Sequence, residues 1–168
     1  ELILQKTGFN NFSQSCIRGE WKNPCDNCWK CFRKNLLIQS LNGDASDKKL
    51  LNMLNNSKEV RLKLLSDIPI KHECVLTYSL SVNQINSIEI NALSALVRVG
   101  EFDISWMEKW YGESISLIDS EYQSYSKSKL CEILGIMGET EKATLHDWQN
   151  NPNQKREANL TKLRNLIS

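Results

Sequence analysis

The sequence lacks an excess of charge of either sign, and it lacks long uninterrupted apolar segments. Its 168 residues contain 21 Lys and Arg against 20 Asp and Glu, a formal net charge of +1. This balance gives no electrostatic signal for binding to nucleic acid or to a membrane surface. The apolar segments are short and interrupted by charge, so no membrane-spanning helix is predicted. With 40% apolar residues the chain can still form a core, which argues against a disordered protein.

Glycine is also scarce, and its distribution excludes the common phosphate-binding loops. There are seven glycines, and no two of them are adjacent. Phosphate-binding loops use closely spaced glycines so that backbone N–H groups can approach the phosphates. Neither G-x-x-x-x-G-K-[ST] nor G-x-G-x-x-G occurs in the chain. We therefore do not expect these 168 residues to bind a nucleotide through either motif.

Cysteine is sparse, but most of it is concentrated in one short segment. Four of the six cysteines form a C-x8-C-x2-C-x2-C array at Cys16, Cys25, Cys28 and Cys31. Zn²⁺ prefers four tetrahedral ligands, and cysteines three positions apart can direct both sulfurs to one ion. In a helix, the same spacing keeps Cys28 and Cys31 on one face. Because all four ligands come from one short segment, the array predicts a closed, structural zinc site.

Three other uses of the array fit the sequence less well. Disulfide frameworks are typical of secreted domains, and these residues include no signal peptide, although a cleaved one would leave no trace. An iron–sulfur cluster also takes four cysteines, but the ferredoxin run C-x2-C-x2-C-x3-C-P is absent. A redox C-x-x-C pair would leave two cysteines of the array without a role. Zinc is the predicted metal, and an iron–sulfur cluster is the main alternative.

Basic residues accompany the array. Residues 1–45 contain six bases and four acids, a net charge of +2. Four thiolates and one Zn²⁺ add a charge of −2, which brings the segment close to neutrality. The bases are therefore expected to compensate a metal–thiolate cluster, and nucleic-acid binding is not favoured.

The residues around the array resemble the C-terminal zinc motif of the 7-cyano-7-deazaguanine synthases of the queuosine pathway. The stretch from Ser15 to Arg33 has a Ser-Cys pair, a loop containing Gly19, the C-x2-C-x2-C cluster and then an arginine. All four cysteines match the spacing in that family. Asp26 departs from it, since the family usually has glycine after the first cysteine of the cluster. The resemblance covers only the first quarter of the chain.

That family belongs to the PP-loop ATP pyrophosphatase superfamily, and the resemblance implies an α/β nucleotide domain in a parent protein. The superfamily binds the phosphates of ATP with a Ser-Gly-Gly-x-Asp-Ser loop, which is absent from the present sequence. We therefore expect this chain to be the C-terminal piece of a longer protein whose nucleotide-binding domain precedes Glu1. ATP and Mg²⁺ would be cofactors of the parent protein only. The implied reaction is ATP-driven activation and amidation of a carboxylate.

Apolar periodicity predicts a mainly α-helical chain. We expect residues 1–45 to form the end of a PP-loop-like domain and the four-cysteine knuckle with its helix, and residues 46–168 to form an α-helical C-terminal domain. Residues 74–82 alternate enough to favour a short strand, with a helix as the alternative. Gly43 is expected to end a helix, and Ser46 and Ser57 are expected to begin two. The predicted helices lie near residues 29–41, 46–54, 57–68, 87–97, 104–111, 114–118, 122–137 and 158–167.

Other residues that could carry chemistry have a simpler structural interpretation. His72 and Cys74 are expected to form a turn followed by a buried free thiol, and His146 is expected to be exposed on a helix. Charged residues of the zinc loop could contact a substrate or the missing domain, but solvated charge is the simpler interpretation. These are Arg18, Glu20 and Lys22.

The aromatic residues that could line a pocket are expected to pack in the core instead. These are Trp106, Trp110, Tyr111, Tyr122 and Tyr125.

The sequence thus predicts the zinc-binding C-terminal portion of a PP-loop ATP-dependent synthase or ligase, or of a diverged relative with another substrate. The alternative is a non-catalytic, zinc-stabilised protein-interaction module. No catalytic residue is identified, and whether the chain is part of an enzyme is left open. We expect a cytoplasmic protein without membrane contact, whose partners are the nucleotide domain, a small or macromolecular substrate and, in a homo-oligomer, other copies of itself.

Overall fold

The computed structural model describes residues 2–43, 48–66, 70–83, 85–151, 153 and 156–167. Within these ranges the chain is mainly α-helical, as predicted, and β pairing is limited to two isolated bridges. No helix in the described part of the chain has the length and apolar character needed to cross a bilayer. The helices are α1 (Leu2–Thr7), α2 (Trp29–Asn42), α3 (Lys48–Asn56), α4 (Lys58–Ser66), α5 (Glu73–Val82), α6 (Ile88–Leu96), α7 (Ser120–Leu134), α8 (Glu139–Asn150) and α9 (Arg156–Ile167).

The chain divides into two units. Unit 1 consists of Glu1–Ser13 and Phe102–Pro152, and unit 2 consists of Gln14–Glu101 and Asn153–Ser168. Unit 2 contains the cysteine array with α2 to α6 and α9, whereas unit 1 contains α1, α7 and α8. The domain boundary expected at residue 45 stays a prediction. Residues 44–47 lie outside the described ranges, and so does the predicted N-cap at Ser46.

Helix α2 begins and ends where the sequence indicates. The Cys28 side chain caps it by accepting a hydrogen bond from the Cys31 amide. Gly43 ends the helix with a left-handed backbone (φ 66°), and its N–H donates to the Gln39 carbonyl. Glycine adopts this conformation without the steric cost that a Cβ would impose.

A core of aliphatic side chains holds unit 2 together. Helix α2 packs against α5, and α6 packs against α9. Predicted and observed caps agree at Ser57, whose hydroxyl accepts from the Val60 amide at the start of α4. The largest fully buried side chains are Phe32, Leu36, Leu50, Met53, Leu54, Leu64, Leu76, Ile90, Leu93, Leu96, Leu163 and Ile167.

The strand predicted for residues 74–82 is wrong, because this segment forms α5. Buried side chains occupy positions 76 to 80 without a break, including the hydroxyl residues Thr77 and Ser79. A helix buried on most of its circumference has no single apolar stripe, so its apolar residues do not recur at the helical spacing of 3.6 residues. The alternation of apolar and small hydroxyl residues then imitates the period of a strand.

Unit 1 differs most from the sequence prediction. The helix predicted over residues 104–111 is only a 3-10 turn, Ser105–Glu108. Trp110 lies beyond this turn, and its backbone pairs with residues 135 and 137 through two hydrogen bonds of 2.9 Å. A second 3-10 turn, Gly112–Leu117, replaces the short helix predicted near 114–118. Helix α8 contains His146, which was expected on a helix, but no bounds for that helix were predicted; its buried residue is Trp148.

Candidate metal centre

The four cysteines predicted from their spacing form one cluster. Their sulfur atoms all lie within 4.8 Å of one another. The Sγ atoms of Cys16 and Cys25 are 3.5 Å apart, and those of Cys25 and Cys31 are 3.8 Å apart. Four sulfurs placed tetrahedrally at the usual zinc–sulfur distance would be about 3.8 Å apart. The cluster could therefore hold one metal ion with all four sulfurs, and only Cys25 is more than slightly exposed.

The loop before the cluster is fixed by one side chain, that of Gln14. Its amide nitrogen donates to the carbonyls of Cys16 (2.9 Å) and Glu20 (2.8 Å). Its amide oxygen accepts from the backbone N–H of Lys22 at 2.6 Å. These three bonds satisfy backbone groups of a loop that has no regular secondary structure. Gln14 thereby helps to bring Cys16 close to the other three cysteines.

Gly19 is required at the tightest point of this loop. A Cβ on residue 19 would lie 2.3 Å from the carbonyl oxygen of Asn23 and 2.6 Å from the backbone nitrogen of Cys25. Both contacts are with backbone atoms, so no side-chain movement could relieve them. Two backbone segments of the loop therefore touch at this glycine.

Helix α4 and its N-cap fasten the loop to the rest of unit 2. One carboxylate oxygen of Glu59 accepts from the Trp29 amide (3.2 Å), and the other pairs with the Arg18 guanidinium. The hydroxyl of Ser57 donates to the carbonyl of Asn27 at 2.8 Å. Sequence reasoning missed Glu59 because it lies 30 positions from Trp29 and 41 positions from Arg18, and no local spacing connects them.

The environment of the sulfurs differs across the cluster. A hydrogen bond from the Cys25 amide, helped by the Arg18 amide, lowers the pKa of the Cys16 thiol to about 6. For Cys31, burial raises the pKa, and the neighbouring sulfurs of Cys16 and Cys28 add to this effect. Metal binding requires thiolates, so the Cys16 side is the more easily deprotonated part of the cluster.

Among the described residues, the other candidates from the sequence do not form a second metal site. Cys74 is half-buried on α5, and burial raises the pKa of its thiol. His72 is exposed and adopts a left-handed backbone (φ 63°), and His146 is exposed on α8, as expected. Of the aromatic residues, Trp106 and Trp110 are buried as predicted. Tyr122 and Tyr125 are exposed, which corrects the expectation that they pack in the core.

A helical fold with a closed cluster of four cysteines defines the general class, a helical protein with a site suited to a metal ion. The chain belongs to a family of unknown function (DUF6395), whose model matches residues 1–149. The match includes the entire cysteine cluster and the helices from α1 to α7. No curated protein and no solved structure shows significant similarity to the chain.

Proposed function

We propose that this chain binds one structural Zn²⁺ through Cys16, Cys25, Cys28 and Cys31. The observation that carries the proposal is the mutual distance of the four sulfurs, all within 4.8 Å. A closed set of four thiolates is the usual ligand set of structural zinc and leaves no position for a substrate. The ion would join the loop of residues 14–28 to the first turn of α2, where few apolar side chains are available to do so.

Metal content tests this proposal directly. Purified protein should contain one zinc per chain by elemental analysis, and Cys28→Ser should lose it. Cys131→Ser is the matched control, because Cys131 lies on α7 outside the cluster, and it should keep the metal. Iron in place of zinc, or a Cys28→Ser variant that retains full zinc content, would overturn the assignment.

For the protein as a whole, we propose the C-terminal portion of a PP-loop ATP-dependent ligase similar to the 7-cyano-7-deazaguanine synthases, or of a diverged relative. The support is the resemblance of residues 15–33, including the spacing of all four cysteines. The proposed role of this chain is to complete a nucleotide-binding domain located before Glu1. ATP-driven activation of a carboxylate and its amidation would take place in that domain.

The gene itself provides the test. The coding sequence upstream of Glu1 should contain a strand followed by a Ser-Gly-Gly-x-Asp-Ser loop. The full-length protein should release pyrophosphate from ATP when its carboxylate substrate is supplied. An open reading frame that starts near residue 1 would rule this function out while leaving the zinc site untouched.

A second candidate, a zinc-stabilised protein-interaction module, is favoured by two exposed apolar side chains. Ile17 is 91% exposed and Trp21 is 59% exposed, and both lie on the loop fixed by Gln14. Exposed apolar side chains on a loop held by hydrogen bonds are a common feature of contact surfaces.

If the protein is an interaction module, the 168-residue chain should capture a partner on its own, and Trp21→Ala should abolish capture with zinc content unchanged. Capture that is unaffected by this change would contradict the role of the loop.

A further inference from the structure

Helix α4 carries leucines on a second face besides the one that packs into the core. Its core face contributes the buried Val60 and Leu64. Its second face, with residues spaced i, i+3, i+4, i+7 and i+8, lines a groove of about 390 Å³ together with the end of α9. The groove is lined by Lys58, Arg61, Leu62, Leu65, Ser66 and Ile167. Leu62 is 54% exposed there, so covering the groove would remove apolar surface from water.

One end of this groove is basic. Lys58 is the first residue of α4, where the helix dipole favours a negative side chain over a positive one. Arg61 lies one turn further along and donates to the carbonyls of Asn55 (3.1 Å) and Ile167 (3.2 Å). These carbonyls carry no net charge, so they do not neutralise the guanidinium. An apolar floor with two cations beside it favours a partner that presents carboxylates next to an apolar side chain.

The chain itself contains a segment of this character around its second 3-10 turn. Leu117 is the last residue of that turn, and it is 87% exposed, so it contributes almost nothing to the core of its own chain. Residues 113–121, called the acidic segment below, contain three acids and no base. The side chains of these acids, Glu113, Asp119 and Glu121, are all exposed. The acidic segment thus has the apolar side chain and the flanking carboxylates that suit the groove.

We propose that the acidic segment of one copy of this chain docks in the groove of a second copy, with Leu117 against Leu62. Burial of the two leucines supplies the apolar contribution, and the opposite charges select this pairing over others. Each copy has one groove and one acidic segment, so two copies can make the contact reciprocally in a closed dimer. The inference is independent of the zinc site, because neither surface includes a cysteine.

Sedimentation velocity of the whole chain over a range of protein concentrations tests the proposal. We expect a concentration-dependent dimer that weakens as salt is added, because salt screens exposed charges. Leu117→Asp should weaken dimerisation about 10-fold or more, as is common when a central apolar anchor is lost. Leu62→Asp tests the same contact from the groove and should give a similar loss. Ile88→Asp is the matched control, since Ile88 is exposed but lies outside both surfaces, and it should dimerise normally.

An exchange of charges tests the pairing itself. Lys58→Glu and Glu121→Lys should each weaken dimerisation, because each places like charges together at the contact. Both changes combined in one chain should restore much of the lost affinity, since opposite charges then meet again. Both side chains are exposed, so circular dichroism should show that the variants keep the helical fold.

The proposal has three outcomes that would overturn it. The first is a chain that stays monomeric at every concentration. The second is a dimer that Leu117→Asp and Leu62→Asp leave intact, or that Ile88→Asp weakens as strongly, because non-specific apolar association would then explain it. The third is a combined charge exchange that recovers none of the affinity lost in the single variants.

Discussion

The two units bury different kinds of side chain. In unit 2, aliphatic residues from α2 to α6 and α9 form one cluster that includes the cysteines. In the described part of unit 1, the buried apolar side chains are three tryptophans and one methionine, and α7 has no buried residue. The tryptophans are partly held by ring contacts, with Trp148 centred 5.4 Å from Phe102 and 6.1 Å from Trp106.

This difference shows two ways of stabilising segments that contribute few apolar side chains to a core. The loop of residues 14–28 contributes little to the aliphatic core besides its cysteines, and a metal ion can replace the missing burial. Unit 1 instead relies on a few large rings, each of which can bury about 150–250 Å² of surface. Four experiments would sharpen or break this comparison.

Metal removal should have the largest effect, and it should be confined to unit 2. Structural zinc sites in small peptides contribute about 10–16 kcal/mol of apparent binding free energy. A strong chelator should therefore abolish amide protection in residues 14–28 and in the first turn of α2. Hydrogen exchange measured by mass spectrometry should show α7 and α8 unchanged. Equal loss of protection in both units would contradict the comparison.

Truncation of one buried residue in each unit should give the next largest effects. Trp148→Ala should cost about 3–5 kcal/mol and Leu93→Ala about 2–5 kcal/mol of unfolding free energy. We expect the tryptophan change to be the more severe, because unit 1 has few other buried side chains to retain its core. Urea denaturation combined with hydrogen exchange would assign each loss to its unit. A larger effect for Leu93→Ala would argue against a core built on tryptophan.

Removal of one helix cap in each unit should have a smaller and similar effect. The Ser87 hydroxyl accepts from the Ile90 amide at the start of α6, and the Asp119 carboxylate accepts from the Glu121 amide at the start of α7. Ser87→Ala and Asp119→Ala should each cost about 1 kcal/mol, because a backbone donor loses its partner. Thermal unfolding would measure this, with Ser87→Gly as a control that should cost less. A much larger cost in one unit would show that the cap there has tertiary contacts as well.

The smallest expected effect concerns pH and the carboxylate of Glu59. Burial raises its pKa, but hydrogen bonds from Arg18 and the Trp29 amide outweigh this and hold it below the ordinary value of 4.5. A lowered pKa in the folded state stabilises the protein above pH 4.5, and this contribution is lost as the pH falls through the folded-state value. Because the pair is partly exposed, Glu59→Gln should cost less than about 1 kcal/mol at pH 7.

The pH series has a clear criterion. The difference in unfolding free energy between the unmodified protein and Glu59→Gln should shrink as the pH falls below 4.5, where the unmodified carboxylate gains a proton. Lys30→Met, which changes an exposed side chain on α2, should show no such dependence. A difference that grows towards low pH would have the wrong sign for a lowered pKa.

Sequence reasoning succeeded where structure depends on short-range features. The cysteine spacing predicted the cluster, and Gly43 and Ser57 marked helix ends that the structure confirms. It failed for α5, where burial on most sides removes the helical period, and for Trp106 and Trp110, whose i, i+4 spacing occurs without a continuous helix. In both cases, packing against distant residues decided what the local pattern left ambiguous.

The sequence by itself determined the set of four cysteines that could hold a metal ion, since cysteines this closely spaced within sixteen positions can reach one ion. Only the tertiary structure decided which residues support that set. Glu59 reaches the Trp29 amide from another helix, and the Ser57 hydroxyl donates to the Asn27 carbonyl from 30 positions away. Such contacts join positions far apart in the chain and depend on how the helices pack. They cannot be predicted from the spacing of neighbouring residues.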